Sequence, residues 1–352
     1  MIQTLSLCPT CYRKNPAFIF PRGKEVWMKK TCPAHGEFEA LVERSWAHFS
    51  AFYRYGTLGN NNSIIVHIHN DCNMKPACSW CYYGDDEIHD QQFLNSLLYE
   101  PYRGMQPRPF SLMFSGGEPT ERPDYHNFTE QAFNMGWFPS TITNMINLAD
   151  REFFYDTLGD AWVDGASNYR FACSMQHPRN YSGKVLSQKM EAWDNIDSEG
   201  LKASCAMFSI QSLDELEWIK AFYDDKRHLF SMLRIRTMFH NWRNKGEQQI
   251  FQSELYEAFM DVFGERYTPV QCSQIEQSTA YGMYLKTCEA RHISLMAAPT
   301  VENIDYHLAS RPVFMLAKDL RCYPVPIAQL ISEGIEKGWK DGFRIGGVEC
   351  FQ

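Results

Sequence analysis

The chain has 352 residues, 44% of them hydrophobic and 14% aromatic, and carries a formal charge of −8. That is enough apolar material for one large domain plus a small one, and it excludes a disordered chain. No apolar run approaches the ~20 residues that span a bilayer, so no transmembrane segment is expected. The acidic balance, without a basic block, argues against nucleic acid as a partner.

Met1-Ile2-Gln3-Thr4-Leu5 shows no basic region followed by an apolar stretch, so a cytoplasmic setting is expected. There the twelve cysteines read as metal ligands in preference to disulfides. Two groups are tightly spaced, Cys8/Cys11/Cys32 and Cys72/Cys78/Cys81. The other six are scattered (Cys173, Cys205, Cys272, Cys288, Cys322, Cys350).

Residues 1–55 form the first unit. Cys8-Pro9-Thr10-Cys11 and Cys32-Pro33-Ala34-His35-Gly36 are two knuckles, each aiming two ligands at one tetrahedral ion. Between them, Ala17–Phe20 and Glu25–Lys29 flank Pro21-Arg22-Gly23-Lys24, a β-hairpin pattern. The result is a rubredoxin-like zinc ribbon with ligands Cys8, Cys11, Cys32 and His35, holding structural zinc or iron in its place. An aromatic-rich helical connector, Glu43 to Tyr55, leads to a polar loop at 56–62.

Residues 56–250 form the second unit. Ser63–His69 is a strand whose period of two puts Ile65, His67 and His69 on one face, where the histidines bind substrate or serve as satisfied core groups. It runs into Cys72-Asn73-Met74-Lys75-Pro76-Ala77-Cys78-Ser79-Trp80-Cys81, a C-x5-C-x2-C loop. Three soft thiolates in a loop suit an iron–sulfur cluster with one iron left open. On spacing alone they suit a zinc site completed by a distant residue equally well. After a helical stretch at 91–99, the strand Phe110–Phe114 ends at Ser115-Gly116-Gly117-Glu118-Pro119-Thr120. Its glycines allow close backbone approach to a ligand, and Glu118 adds an acceptor.

The Cys loop with Trp80 before its last Cys, followed by Gly116-Gly117-Glu118-Pro119, resembles the radical S-adenosylmethionine (SAM) superfamily. That superfamily normally uses C-x3-C-x2-C, so the first gap here is two residues longer. The ribbon with Cys-Pro-x-His-Gly narrows the likeness to the group with archaeal pterin methyltransferase-like proteins and tetraether lipid synthases. The resemblance implies a partial (β/α)6 TIM-type barrel. It also implies a [4Fe–4S] cluster on Cys72, Cys78 and Cys81, SAM chelated at the open iron, and an external reductant of flavodoxin or ferredoxin type.

Further strands continue the β/α series: Ser140–Asn144, Tyr169–His177, Lys202–Phe208 with a helix at Leu213–Tyr223, and Leu233–Phe239. Asn144-Met145 stands where many members of the superfamily have Asn-Gly. Ser174 and Gln176 share one face, as do Arg234 and Arg236. Inward guanidiniums need anionic partners: the SAM carboxylate, a substrate carboxylate or phosphate, or barrel carboxylates in structural salt bridges. Under the resemblance, Ser115, Gly116, Gly117 and Glu118 hold the methionine amino end of SAM, and Trp80 and Tyr82 flank its adenine. Asn144, Ser174, Gln176 and Arg234 or Arg236 reach its ribose and carboxylate.

Residues 251–352 form an α/β extension expected to cover the barrel mouth. It has helices at Glu254–Phe263 and Ile327–Trp339 and a strand at Gly282–Thr287. Cys322 is its candidate hydrogen donor or extra metal ligand, with Cys350 a second, against a default of inert buried thiols. The expected activity is reductive cleavage of SAM and functionalisation of a C–H bond in a small-molecule substrate. The alternatives are 3-amino-3-carboxypropyl transfer, radical coupling or methylation on a lipid or pterin, and a non-catalytic zinc-binding module.

Overall fold

A computed structural model describes the chain except residues 12, 53–62, 70, 76, 79–110, 136, 138, 159–169, 238–248, 265–267, 271–281, 287–291, 298–301, 304–311, 318–321, 327–342, 346–347 and 352. Cys81, Trp80 and Tyr82 and the expected helices at 91–99 and 327–339 therefore lie outside the described residues. Among those described, no helix is long and apolar enough to cross a membrane.

The N-terminal unit is a four-stranded antiparallel sheet in the order β1 (Ile2–Leu7), β2 (Lys14–Arg22), β3 (Glu25–Cys32), β4 (Gly36–Glu43). The expected hairpin is β2–β3, closed with Arg22 opposite Glu25. Its turn carries Gly23 at φ +64, a left-handed backbone that suits a residue without a Cβ. One face buries Ala17, Ile19, Val26, Met28 and Val42, and helix α1 (Trp46–Phe52) packs Trp46 and Phe49 against it. This core is small. The five buried side chains of this cluster cannot by themselves offset the ordering entropy of forty residues, which makes the ribbon dependent on its ion and its neighbours.

Those neighbours come from far along the chain. Buried Glu43 accepts hydrogen bonds from the backbone N–H and the hydroxyl of Ser253, at the start of helix α6 (Gln252–Phe263). Asn303 donates to the Leu41 carbonyl at 2.9 Å, and Lys30 donates to the Glu302 carbonyl at 2.7 Å. Burial pulls the Lys30 ammonium down to about 8.

The main sheet runs in the order β11-β12-β13-β10-β9-β8-β7-β6-β5-β14-β17-β16, with β15 paired to β14. Its centre is β5 (Ser63–His69), β6 (Ser111–Gly116), β7 (Ser140–Thr143), β8 (Arg170–Met175), β9 (Ala203–Ile210) and β10 (Phe230–Thr237). All neighbours in this series are parallel. These are the six strands the sequence predicts, in sequence order. Two more join in parallel, β13 (His292–Met296) beside β10 and β14 (Pro312–Ala317) beside β5. The parallel run is thus eight strands long. Neither β13 nor β14 is expected from the sequence.

Antiparallel strands flank the run on both sides: β11 (Thr268–Val270) and β12 (Gly282–Lys286), then β15 (Cys322–Pro326), β16 (Phe343–Ile345) and β17 (Val348–Phe351). Helices α2 (Tyr125–Asn134), α3 (Arg151–Leu158), α4 (Gly183–Ser198), α5 (Glu215–Lys226) and α6 connect or cover the strands. Along β8 to β10 the residues alternate cleanly. Cys173, Met175, Ala206, Phe208, Leu233 and Ile235 enter a core with Trp193, Phe222 and Phe259 of the helices. The intervening residues therefore face the opposite side of the parallel run, here termed its inner face.

Candidate functional site: a cysteine loop beside a glycine turn

Parallel strands place their functional loops at one end, the carboxyl ends of the strands. The Cys loop leaves β5 there, Gly116-Gly117 leaves β6, Asn144 follows β7 and Gln176 follows β8. The loop is tied down from below. Gly117 N–H donates to the His69 carbonyl at 2.8 Å and Glu118 N–H to the Asp71 carbonyl at 2.7 Å. Arg122 is buried between the Ile68 carbonyl, 2.9 Å away, and the face of Phe128.

Cys72 and Cys78 are half-buried, packed with Tyr181 against Met74, Ile146 and Val185. Two N–H donors point at the Cys72 sulfur, the backbone of Met74 and the side chain of Asn144, each at 3.5 Å. Such N–H···S contacts favour a metal-bound thiolate and tune a cluster's potential, so the described part of the loop fits an iron–sulfur centre.

Asn144 is the hub of the site. Its amide also donates to Asn73 Oδ1 at 2.7 Å, its Oδ1 accepts from Ile146 N–H, and its own N–H donates to Glu118 Oε2 at 2.6 Å. Asn73 in turn donates to Glu121 and Asn147. The Asn73–Glu121–Asn147 set is not singled out by the sequence, although polar residues just past three consecutive strand ends are the signal that could have found it. Met145 takes φ +74, the conformation for which Gly is the natural choice after that Asn; a side chain there costs about 1–2 kcal/mol. Full burial of the Met145 side chain offsets that strain.

Glu118 is 1% exposed and its carboxylate is spent internally. Oε1 accepts from Thr120 N–H and from the Thr120 and Thr143 hydroxyls, and Oε2 from Asn144 N–H. Burial pushes its pKa up, and the four donated bonds oppose this. The side chain thus clamps β6 to β7 and is not free to act as an acceptor for a ligand. In Glu118→Gln, either orientation of the amide faces a backbone N–H with a donor, that of Thr120 or of Asn144. A loss of about 2–3 kcal/mol is expected, read as a lower urea midpoint at unchanged slope.

A second unforeseen group is Lys189 of α4, fully buried beneath the site. Its ammonium donates to the carbonyls of Asn144 at 2.5 Å and Ser174 at 2.8 Å, and lies over the Tyr181 ring. Burial draws its pKa down to about 8, opposed by the Cys78 and Glu118 charges. Gln176 is buried and accepts from the Tyr181 hydroxyl, and Ser174 is half-buried on the inner face. Arg234 and Arg236 lie on β10, three strands from β7. Cys322 opens β15 opposite Leu316, and Cys350 on β17 stands opposite Ala317.

In the ribbon, Cys8, Cys11, Cys32 and His35 bring their ligand atoms within 4.8 Å of one another. Cys8 Sγ and Cys32 Sγ each lie 3.6 Å from His35 Nδ1, and Cys11 Sγ lies 3.7 Å from Cys32 Sγ. An ion about 2.3 Å from each sulfur and about 2.0 Å from nitrogen, in tetrahedral geometry, requires edges of about 3.5–3.8 Å. The four residues fit zinc, and they are the four that the spacing predicts.

Residues 1–44 match the family described as the HMPTM N-terminal zinc ribbon domain. The chain is 27% identical over 175 residues to a 7,8-dihydro-6-hydroxymethylpterin dimethyltransferase of Methanocaldococcus jannaschii, covering 42% of this chain and 34% of that protein. Among solved structures it is similar to Streptococcus suis SuiB bound to S-adenosylmethionine (TM-score 0.44, 13% identity, 62% of this chain and 47% of that one). It is also similar to TYW1 with a lysine–pyruvate adduct bound (TM-score 0.40, 12% identity, 72% and 88%). The chain therefore spans about a third of the curated relative it matches, and its first 44 residues carry a zinc ribbon domain of the HMPTM N-terminal type.

Proposed function

We propose that this chain is a radical SAM enzyme acting on a small-molecule substrate. The observation that carries the reading is the wiring of the Cys72–Cys78 segment to Asn144, at the carboxyl end of a parallel sheet and beside the Gly116-Gly117 turn. Cys72, Cys78 and Cys81 would hold a [4Fe–4S] cluster, which, when bound and reduced by a flavodoxin- or ferredoxin-type donor, would supply the one electron needed to cleave a C–S bond of SAM.

The chain's own residues bind and orient. The backbone of Ser115, Gly116 and Gly117 approaches the methionine amino end. Asn144 holds the Cys72 sulfur, and Ser174 and Gln176 face the ribose. Trp80 and Tyr82 flank the adenine. Lys189 locks the ends of β7 and β8 at fixed separation, which keeps Asn144 and Ser174 in register for one ligand.

The similarity to a pterin dimethyltransferase favours a second, narrower reading, methylation of a pterin. The deciding measurement uses anaerobically reconstituted protein with SAM, dithionite and a dihydropterin. Iron near four per chain, with 5′-deoxyadenosine released, is expected. A methylated pterin in the product would establish the narrower reading. Methylthioadenosine in place of 5′-deoxyadenosine would shift the assignment to 3-amino-3-carboxypropyl transfer. Two zincs and no iron would end the radical reading.

A further inference from the structure

The inner face of β8, β9, β10 and β13 is layered by its register. Ala172, Cys205 and Met232 stand opposite one another in one layer, and Ser174, Met207, Arg234 and Ser294 in the next toward the carboxyl ends. Arg236 stands opposite Ser209, one layer further. The lower residues form an apolar floor, with Ala172, Cys205 and Met207 buried against Ile142 and Met232. Arg234 therefore stands beside this apolar patch and Arg236 one layer further toward the carboxyl ends.

Neither has a counter-ion among the described residues. Among the described residues no carboxylate lies within ion-pair distance of Arg234 or Arg236. Arg234 Nε is buried with no hydrogen-bond partner, and its terminal nitrogen reaches only the Met232 sulfur at 3.8 Å. Arg236 Nε donates to the Ser209 hydroxyl at 2.9 Å, which fixes the planar group on the β9 side. Holding a buried donor unsatisfied costs about 1–3 kcal/mol, and a partly buried cation costs more unless it is paired. A partly buried guanidinium pair in this state, in an acidic protein, has the chemistry of an anion receptor. Burial pushes the nearby Cys205 thiol up while both arginines pull it down, so their positive field reaches the floor.

Position separates this pair from the SAM end of the site. Asn144 and the glycine turn belong to β7 and β6, and β10 lies three strand spacings from β7, about 14 Å along the sheet, and two from Ser174 on β8, about 10 Å. We infer that Arg234 and Arg236, with Ser209, dock an anionic group of the substrate, a carboxylate or a phosphate, and do not hold SAM. The inference rests on the proposed enzyme reading only in taking the inner face as the substrate's side. The anion site itself needs no cluster.

The test titrates inorganic phosphate and, separately, acetate into the full chain at constant ionic strength. It is done on cluster-free protein and on reconstituted protein with and without saturating SAM. Saturable binding is expected in all three states, with SAM and anion binding together. Tenfold preference for phosphate over acetate would assign a phosphate group, and the reverse a carboxylate. Arg234→Gln and Arg236→Gln should each weaken the anion at least tenfold and leave SAM affinity within twofold.

Competition between phosphate and SAM on the unmodified protein would overturn the inference, as would a tenfold loss of SAM affinity in either variant. Anion binding unchanged in both variants, or absent from the unmodified protein, would overturn it too. The competition arm needs no variant to fold. If iron never incorporates, the enzyme reading fails, and the cluster-free titration still decides this one.

Discussion

Cys78→Ala is expected to abolish bound iron and with it all SAM cleavage, while leaving the fold intact. A four-iron cluster held by three protein thiolates has no spare ligand among them, so removing one leaves two, too few to retain it. The cost to the fold is small by comparison. Cys78 is half-buried at the margin of a small cluster around Met74, Ile146 and Val185, and losing its sulfur removes about 1 kcal/mol of packing. Iron should fall from near four per chain to near zero, the brown absorbance should vanish, and circular dichroism should not change. Zinc should stay at one per chain, because the ribbon ligands are a separate set. Persistent colour in this variant would show that the centre lies elsewhere.

Cys32→Ser should damage the whole molecule. A structural zinc in a small domain contributes apparent binding energy on the order of 10–16 kcal/mol at neutral pH, and that energy is folding energy. Cys32 ends β3 and sits 3.6–3.7 Å from both His35 Nδ1 and Cys11 Sγ. Oxygen in its place ligates zinc poorly and pulls the knuckle apart. The ribbon's core of five buried residues cannot hold the sheet together without it. Damage then spreads, since freed Lys30 and Glu43 withdraw their bonds to residues 302 and 253. Loss of zinc, a melting temperature lower by more than about 10 °C and proteolytic cleavage within residues 1–44 are expected. Retained zinc with unchanged melting would contradict the structural role.

The ribbon and the six central strands were legible because their signals are local. Ligand spacing fixes a knuckle, and period-two apolar runs fix a strand. Strands β13 and β14 were missed because a short apolar segment such as Ile293 to Met296 does not say whether it joins an existing parallel run. That depends on β10 and β5, tens to hundreds of residues away. Lys189 and Glu118 illustrate a second limit. A lysine within Gly183–Ser198 reads as one more surface charge until the helix is docked, and only then does its ammonium meet two strand-end carbonyls. Glu118 was legible as an acceptor, but not for whom; its partners Thr143 and Asn144 lie one strand further along the sheet. Asn144 was picked out by the resemblance, standing where many members of the superfamily have the Asn of an Asn-Gly pair, and its hub role emerges only with Asn73 in place.

The ribbon's clasp on the main domain also has a timetable. The contacts of Lys30 with Glu302, Leu41 with Asn303 and Glu43 with Ser253 join residues 272, 262 and 210 positions apart. A ribosome adding about 5–20 residues per second needs on the order of ten to fifty seconds to supply those partners after the ribbon has emerged. Throughout that interval the ribbon must hold itself together with its ion alone, while the edge of β4 and the Glu43 carboxylate wait uncovered. Zinc supply during synthesis would then set how much chain reaches the stage at which Ser253 and Asn303 can close over it. Cells starved of zinc should lose this protein at birth, before any mature copies give up their metal.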